Sequence, residues 1–368
     1  MSVPTSNIIV LSAGGTGGHL FPAQALAGEL AKRGRSIVVM TDARFANYAT
    51  AFPGARIETV PSSPFNAVTA PVKIAAGFVV ALAKLLRLKP SAVIGFGGYP
   101  SVPVMLAANF AGLPTGIIEQ NAVVGRANRL VMNKVRKVAA AFPIARFAPR
   151  DIDKVVLTGN PLRPEVEALW GASYNVIQAG GPIRLLVFGG SQGARALSEI
   201  VPAALTRLPH DSKMRLSVVQ QCRPEDIEQV GEIYRNAEIR CQLETFFKDL
   251  PQRMAEAHLV IARSGAGTIA ELMAIGRPAI LVPLPGALDD NQTPNAEILA
   301  RADAGWCVPQ RTMTADSLAQ MLNRIFADPL ALAQRAARAH ALATPNAAGK
   351  LADMVDELAL SSDRKEAA

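Results

Sequence analysis

A histidine that follows a glycine turn and opens a helix is placed to take a proton from a bound hydroxyl. His19 ends the segment "GGTGGH" at 14–19, directly after the apolar run "IIVLS". The positive end of a helix disfavours an imidazolium, so the ring there stays neutral and basic. The other histidines, His210, His258 and His340, sit in ordinary contexts and receive no role. Three further glycine turns occur: "GFGGYPS" at 95–101, "GGSQGA" at 189–194 and "RSGAGT" at 263–268. Glycine permits positive φ and close backbone approach. A helix start adds free N–H groups and a dipole that favours phosphate. One such turn is as easily structural as functional. Four at strand ends point to a nucleotide or phosphorylated sugar held in a cleft between two domains. Glu271 lies inside the helix that "GAGT" opens, where ligand contact and a simple favourable charge near the helix start are equally open. Asn291 and Gln292, in "DDNQTPNAE" at 289–297, offer donors and acceptors suited to sugar hydroxyls, or else cap the next helix.

Parallel α/β sheets are the frame that puts such turns at strand ends. Short β-branched runs alternate with helix-length segments: "NIIVLS" at 7–12, "SIVVMT" at 36–41, "AVIGF" at 92–96 and "GIIE" at 116–119. The series restarts after Pro161–Pro164 with "IRLLVFGG" at 183–190, "LSVVQ" at 216–220, "HLVIA" at 258–262 and "AILVP" at 279–283. Two doubly wound domains follow, 1–161 and 162–342. The Ala- and Leu-rich tail is helical, and its last helix, about 343–361, could by its pattern close either domain.

The 368 residues, half of them apolar, suffice for two packed cores and exclude a fibrous or disordered chain. The net charge of +8 invites an anionic partner. It is concentrated: residues 1–161 carry 17 Lys or Arg against 6 Asp or Glu, while the rest is slightly acidic. Few aromatics interleave with the basic stretch and no nucleic-acid motif is present, so nucleic acid ranks last as a partner. No apolar run reaches the length of a spanning helix, and the opening residues lack a signal-peptide pattern, so a cytoplasmic protein is expected. Cys222, Cys241 and Cys307 are far apart and read as reduced core thiols. Asp151 and Asp153 in "DID" read as a solvated loop, and no metal site is expected.

A dinucleotide-binding dehydrogenase is the first alternative, because Gly15 and Gly17 follow the first strand and Asp42 ends the second. The third fingerprint position, however, is Leu20, and His19 stands where the cofactor would approach. That reading also leaves the second domain's turns without a ligand.

Taken together, these segments resemble the MurG family, the N-acetylglucosaminyltransferases that act on UDP-N-acetylglucosamine (UDP-GlcNAc) and undecaprenyl-pyrophosphoryl-N-acetylmuramyl (MurNAc) pentapeptide in bacterial peptidoglycan synthesis. The resemblance covers nearly the whole chain and rests on "GGTGGH", "GFGGYPS", "EQN" at 119–121, "GNPLR" at 159–163, "GGSQGA", "RSGAGTIAE" at 263–271 and "DNQTPNAE" at 290–297, in that order. It implies a GT-B fold, with the acceptor in the first domain, the donor nucleotide in the second, and the last helix packed back on the first. It implies inverting transfer of GlcNAc to the C4 hydroxyl of MurNAc, turning lipid I into lipid II, with His19 as the base and no cofactor. The implied donor site comprises Arg163, Ser191, Phe247 beside the uracil, Gly265, Ala266, Gly267, Thr268, Ile269, Ala270, Glu271 on the ribose, and Asn291 with Gln292 on the GlcNAc hydroxyls. Thr16, Gly17, Gly18 and Asn121 contribute from the first domain, where with Gly15, Gly97, Gly98 and Tyr99 they surround the acceptor diphosphate and the reacting hydroxyl. The implied place of work is the cytoplasmic face of the cell membrane, in cell-wall growth and division, with other cell-wall synthesis proteins as further partners. Another GT-B transferase or a UDP-GlcNAc epimerase is the alternative within the fold.

The segment Lys73 to Lys89 gives the lipid acceptor a physical rationale. On a helix, Ile74, Phe78, Leu82, Leu85 and Leu86 share one arc and Lys73, Lys84 and Arg87 another. Residues 59–150 hold 11 Lys or Arg and a single acid, Glu119. A basic surface with an apolar edge is expected to contact anionic lipid.

Overall fold

The computed structural model describes residues 7–14, 17–44, 52–63, 70–190 and 194–366, with Leu288 and 361–366 as backbone only. The chain forms two compact units, Met1–Arg163 with Thr344–Ala368, and Pro164–Ala343.

The first unit runs β1 (Ile8–Ser12), α1 (Gly17–Lys32), β2 (Ser36–Thr41), β3 (Arg56–Thr59), α2 (Ala70–Leu88), β4 (Ala92–Gly95), α3 (Ser101–Phe110), β5 (Thr115–Glu119), α4 (Arg126–Val131), β6 (Lys137–Ala140) and β7 (Val155–Leu157). Its described strands pair in parallel in the order β3-β2-β1-β4-β5-β6-β7. The strand order therefore reverses between β1 and β4, and ligands of open α/β sheets bind at such a reversal.

The second unit holds α5 (Pro164–Glu167), β8 (Ile183–Phe188), α6 (Arg195–Leu205), α7 (His210–Arg215), β9 (Leu216–Gln221), α8 (Ile227–Asn236), β10 (Arg240–Glu244), α9 (Leu250–Glu256), β11 (Leu259–Ala262), α10 (Ala266–Ile275), β12 (Ala279–Leu281), α11 (Gln292–Arg301), β13 (Gly305–Cys307), α12 (Ala315–Ala327) and α13 (Pro329–Ala341). Its parallel order, β10-β9-β8-β11-β12-β13, reverses between β8 and β11. The last helix, α14 (Ala347–Glu366), belongs to the first unit. Its Leu351, Met354, Val355 and Leu358 join Ile9, Leu11, Leu26 and Ile94 in one buried cluster. Arg33 donates to Asp353 and Asp356 at 2.8 and 3.0 Å, fixing α14 against α1. Gly116 on β5 is needed for this packing, since a Cβ there would lie 2.9 Å from Leu358.

Helix α2 departs from the expected orientation. Gly77, Ala81 and Leu85 face inward, and a Cβ at Gly77 would collide with the Pro61 carbonyl, so a small residue there lets the helix press onto that loop. Leu85 is wholly buried and is a core residue, not a surface contact. The exposed apolar positions are Val72, Val79 and Leu86, seven residues apart and hence on one stripe. Lys84 is half-buried and donates to Glu58 and to the Thr59 carbonyl, and Arg56 also pairs with Glu58. Hydrogen bonding from Lys84 is the main cause that lowers the Glu58 pKa. Of the cysteines, Cys222 is buried and Cys307 half-buried, but Cys241 is exposed on the edge strand β10.

Candidate functional site

In the first unit the reversal point brings together the turn after β1 and the turn after β4. Gly97 and Gly98 both have positive φ, +82° and +71°, which only glycine adopts without strain. They also make room. A Cβ on Gly97 would stand 3.4 Å from the His19 ring and from Asn128 Nδ2, and one on Gly98 would meet the Gly14 carbonyl at 2.8 Å. His19, in the first turn of α1, therefore lies over the second glycine turn. Burial of the ring pushes its pKa down to about 4, so it is a neutral acceptor at ordinary pH. No acid occupies the first turn of α1, and Pro22 has no N–H to give the Gly18 carbonyl. Gly17 and Gly18 open the helix, whereas Gly15 and Thr16 lie outside the described residues.

Glu119, at the end of β5, organises the "EQN" loop. Its Oε1 accepts from the Asn121 backbone N–H at 3.0 Å and from Nδ2 at 3.3 Å, and its Oε2 accepts from Gly125 N–H at 2.9 Å and Asn128 Nδ2 at 2.8 Å. Burial raises the Glu119 pKa against these donors. Gln120 donates to the Phe96 carbonyl at 3.1 Å, which ties this loop to the strand that precedes Gly97. Asn121 is thus held beside the His19 turn by a buried carboxylate whose part its place in "EQN" did not mark.

Asp42 is nearly buried at the end of β2. It accepts from the Arg44 backbone N–H and guanidinium, both at 2.9 Å, from Tyr99 Oη at 3.0 Å and from Ser62 Oγ at 3.3 Å. These four donors fix the orientation of the carboxylate. Arg163 packs 5.6 Å over the ring of Phe21 at the end of the first unit.

The second unit places its turns around a cavity of about 910 Å³, lined in part by Gly190, Arg263, Gly265, Thr268 and Gln292. Gly265 precedes α10 and has no side chain to cap it, and the helix has no acid in its first turn. Its first N–H groups are therefore open to an anion. Gly189 N–H is held by Gln221 Oε1 at 3.1 Å. Gln292 Oε1 accepts from the backbone N–H of Leu284 at 3.0 Å and of Ser264 at 3.3 Å, so what it offers a sugar is its amide N–H. Asn295 Nδ2 donates to the Ser264 carbonyl at 3.1 Å. Arg263 was not anticipated as a site residue, although it stands in the "RSGAGT" turn. Its buried guanidinium donates to the carbonyls of Val282 and Pro283 and to Gln310, and burial lowers its pKa.

Several residues of the implied donor set are not in the described lining of this cavity. Ile269 and Ala270 point into the core, and Ile269 N–H is bonded to the Gly265 carbonyl, so the open helix start is Gly265 to Thr268. The Phe247 ring is buried, with Arg253 stacked 4.5 Å above it, and it is not in the described lining of the cavity. Glu271 and Asn291 are half-buried and likewise not in that lining. Asn291 is preceded by Asp289 and Asp290, both at positive φ, +56° and +49°, a strained approach to α11. Ser191 lies outside the described residues. Among the described residues no group of three His, Cys, Asp or Glu side chains is placed to hold a metal.

Residues 9–140 match the glycosyltransferase family 28 N-terminal domain, and residues 184–354 its C-terminal domain. The chain is 48% identical over 357 residues to the UDP-N-acetylglucosamine–N-acetylmuramyl-(pentapeptide) pyrophosphoryl-undecaprenol N-acetylglucosamine transferase of Paramagnetospirillum magneticum, covering 95% of this chain and 96% of that one. The protein of the same name from Bradyrhizobium diazoefficiens is 46% identical, covering 96% and 99%. Among solved structures, MurG of Acinetobacter baumannii superimposes with a TM-score of 0.81 at 32% identity, covering 95% and 99%. A UDP-GlcNAc 2-epimerase from Neisseria meningitidis, at 14% identity and a TM-score of 0.65, covers 96% of this chain and 99% of its own and shares the fold alone.

Proposed function

The chain belongs to the MurG family of family 28 glycosyltransferases, and from that premise we propose how its residues carry out the family's transfer. It moves GlcNAc from UDP-GlcNAc to the MurNAc of undecaprenyl-pyrophosphoryl-MurNAc-pentapeptide, converting lipid I to lipid II for peptidoglycan. The observation that carries the mechanism is the neutral His19 ring laid over the Gly97–Gly98 turn.

The acceptor diphosphate binds at these glycines and the start of α1, which leaves the sugar's C4 hydroxyl against His19. The ring takes the hydroxyl proton while the oxygen attacks the anomeric carbon from the face opposite UDP. The bond to UDP breaks, and the electron pair leaves with its phosphate oxygen. N–H groups at the start of α10 stabilise that charge, and the Gln292 amide N–H holds a GlcNAc hydroxyl. A pKa of about 4 makes His19 a weak base in the free protein. The diphosphate bound beside it favours the imidazolium and strengthens the base once the acceptor is in place. An assay with UDP-GlcNAc and a short-chain lipid I analogue, reading UDP release and product mass, tests this. A folded, UDP-binding protein that forms no disaccharide product would refute the acceptor assignment.

The lipid end of the acceptor fits the outer side of α2. No helix among the described residues is long and apolar enough to cross a membrane. The exposed stripe Val72, Val79 and Leu86 continues to exposed Phe110 at the end of α3, whose ring meets Phe78 edge-on at 5.6 Å. Arg87 is exposed beside it and Leu82 is half-buried along its edge, whereas Ile74 is half-buried on the inward side with Gly77 and Ala81, and exposed Lys73 lies towards the end of β3. This face seats the protein peripherally on anionic lipid at the cytoplasmic side of the cell membrane. Leu86→Asp with Val79→Asp should abolish vesicle binding without lowering Tm; unchanged binding would move the lipid contact elsewhere.

A further inference from the structure

A polar cavity of about 320 Å³ opens at the ends of β2 and β3, lined by Asp42, Arg44, Thr59, Ser62 and Lys73 among others. It is separate from the His19 turn but joined to it through Tyr99. Arg44 uses one guanidinium nitrogen on Asp42 and on Tyr99 Oη, and its carbon lies 5.1 Å over the Tyr99 ring. Its anchor, Asp42, is 5% exposed, while the Arg44 side chain itself is 59% exposed. The arginine is thus fixed at one edge and open at the other. Lys73 also faces this cavity, and no partner for its ammonium occurs among the described residues. Two cations against one saturated carboxylate leave the cavity with a surplus positive charge, and Ser62 adds a hydroxyl. Such a set recognises a carboxylate, with Arg44 presenting its remaining N–H groups in a fixed plane.

We propose that this cavity is a subsite for the terminal carboxylate of the acceptor's peptide, with Arg44 as its principal ligand and Lys73 as a second. The proposal rests on the acceptor reading above. The dimensions agree with it. Five extended residues reach at most about 17 Å, and only the Gly98–Tyr99 step and one tyrosine ring separate His19 from Arg44. Asp42 and Tyr99 are positioning residues here: they aim the guanidinium and do not touch the peptide.

The test compares two short-chain lipid I analogues, one with a free peptide carboxylate and one with that end amidated. Binding is followed by calorimetry and turnover by product mass, for the wild-type protein and for Arg44→Ala, Arg44→Lys and Lys73→Ala. The subsite predicts that amidation weakens wild-type binding about five- to thirtyfold, the range of an accessible charge-assisted contact. Arg44→Ala should weaken the carboxylate analogue by a similar factor and leave the amide analogue nearly unchanged. Arg44→Lys should recover part of the loss, and the KM for UDP-GlcNAc should not move. Equal loss on both analogues would overturn the subsite and assign Arg44 to the diphosphate or to the scaffold. Wild-type binding indifferent to amidation would overturn it as well, while product formation left the transfer reading intact. Failure of the wild type to bind either analogue would remove the acceptor reading and the subsite together.

Discussion

At both reversal points a glycine turn opens a helix towards a ligand, yet the groups that hold the two turns differ in kind. The first unit uses ionisable side chains: buried Glu119 under the "EQN" loop, buried Asp42 with half-buried Tyr99 and exposed Arg44, and the His19 ring. The second relies mainly on neutral amides, Gln221, Gln292 and Asn295, with Arg263 spending its charge on carbonyls. The difference follows the chemistry. In the proposed mechanism a proton moves and an anionic, lipid-linked acceptor is held in the first unit, which also carries the basic excess. A sugar nucleotide needs hydroxyls read and a phosphate met by backbone N–H groups, which amides and helix starts do without a titrating group.

The sharpest way to break this contrast is His19→Ala. Loss of a general base costs about 10² to 10⁴ in turnover, and UDP affinity measured by calorimetry should stay within twofold if UDP binds, as proposed, in the other unit. A parallel fall in both would mean that His19 shapes the donor site. Next comes the pair Gly98→Ala and Gly190→Ala. Both glycines have positive φ, +71° and +87°, but a Cβ on Gly98 meets a backbone oxygen at 2.8 Å whereas one on Gly190 meets no atom of the described residues within 4 Å. Gly190→Ala should cost only backbone strain, about 1 kcal/mol. Gly98→Ala should cost about 2 to 3 kcal/mol, seen in Tm, and lower kcat/KM for the acceptor at least tenfold. Equal effects would mean that strain and not close approach sets the demand for glycine. Smaller again is Gln292→Glu, which keeps the oxygen that accepts from Leu284 and Ser264 but loses the amide N–H. Tm should hold, and kcat/KM for UDP-GlcNAc should fall about tenfold. A stability loss without a kinetic one would make Gln292 a purely structural residue.

The eight strands read from apolar runs all exist, and they are the ones nearest the reversal points, so the turns that carry chemistry were legible. The strands that escaped notice are β3, β6, β7, β10 and β13, and four of these are sheet edges. Edge strands carry charge and polarity on a solvated side, as "RIET" and "RCQLE" show, so no apolar run marks them. Helix α2 misled for a related reason. Its periodicity fits two faces nearly as well, and the close approach of Gly77 to the Pro61 carbonyl goes with Leu85 inside and Leu86 outside. Residue types also failed to separate contact from support. The Phe247 and Ile269 side chains are buried, while Arg263 and Asp42 hold their turns through partners 20 or more residues away and Glu119 through its own loop.

The subtlest consequence of the contrast is a pH effect confined to the first unit. Burial holds the folded His19 pKa at about 4 against an ordinary 6.5. The unfolded chain therefore takes up a proton that the folded one refuses as pH falls through that window, so His19 lowers stability progressively from 6.5 towards 4. His19→Gln should remove that slope from a plot of Tm against pH. In kinetics the free protein's base survives to about pH 4, which sets the acid limb of kcat/KM for the acceptor. With the diphosphate bound the same base is strengthened, so the acid limb of kcat should lie about one pH unit or more higher. Varying UDP-GlcNAc at saturating acceptor should show no such separation, because the amides of the second unit do not titrate. Coincident limbs for the acceptor would show that its diphosphate does not sit beside His19, and the Gly97–Gly98 turn would lose its place as the anion site.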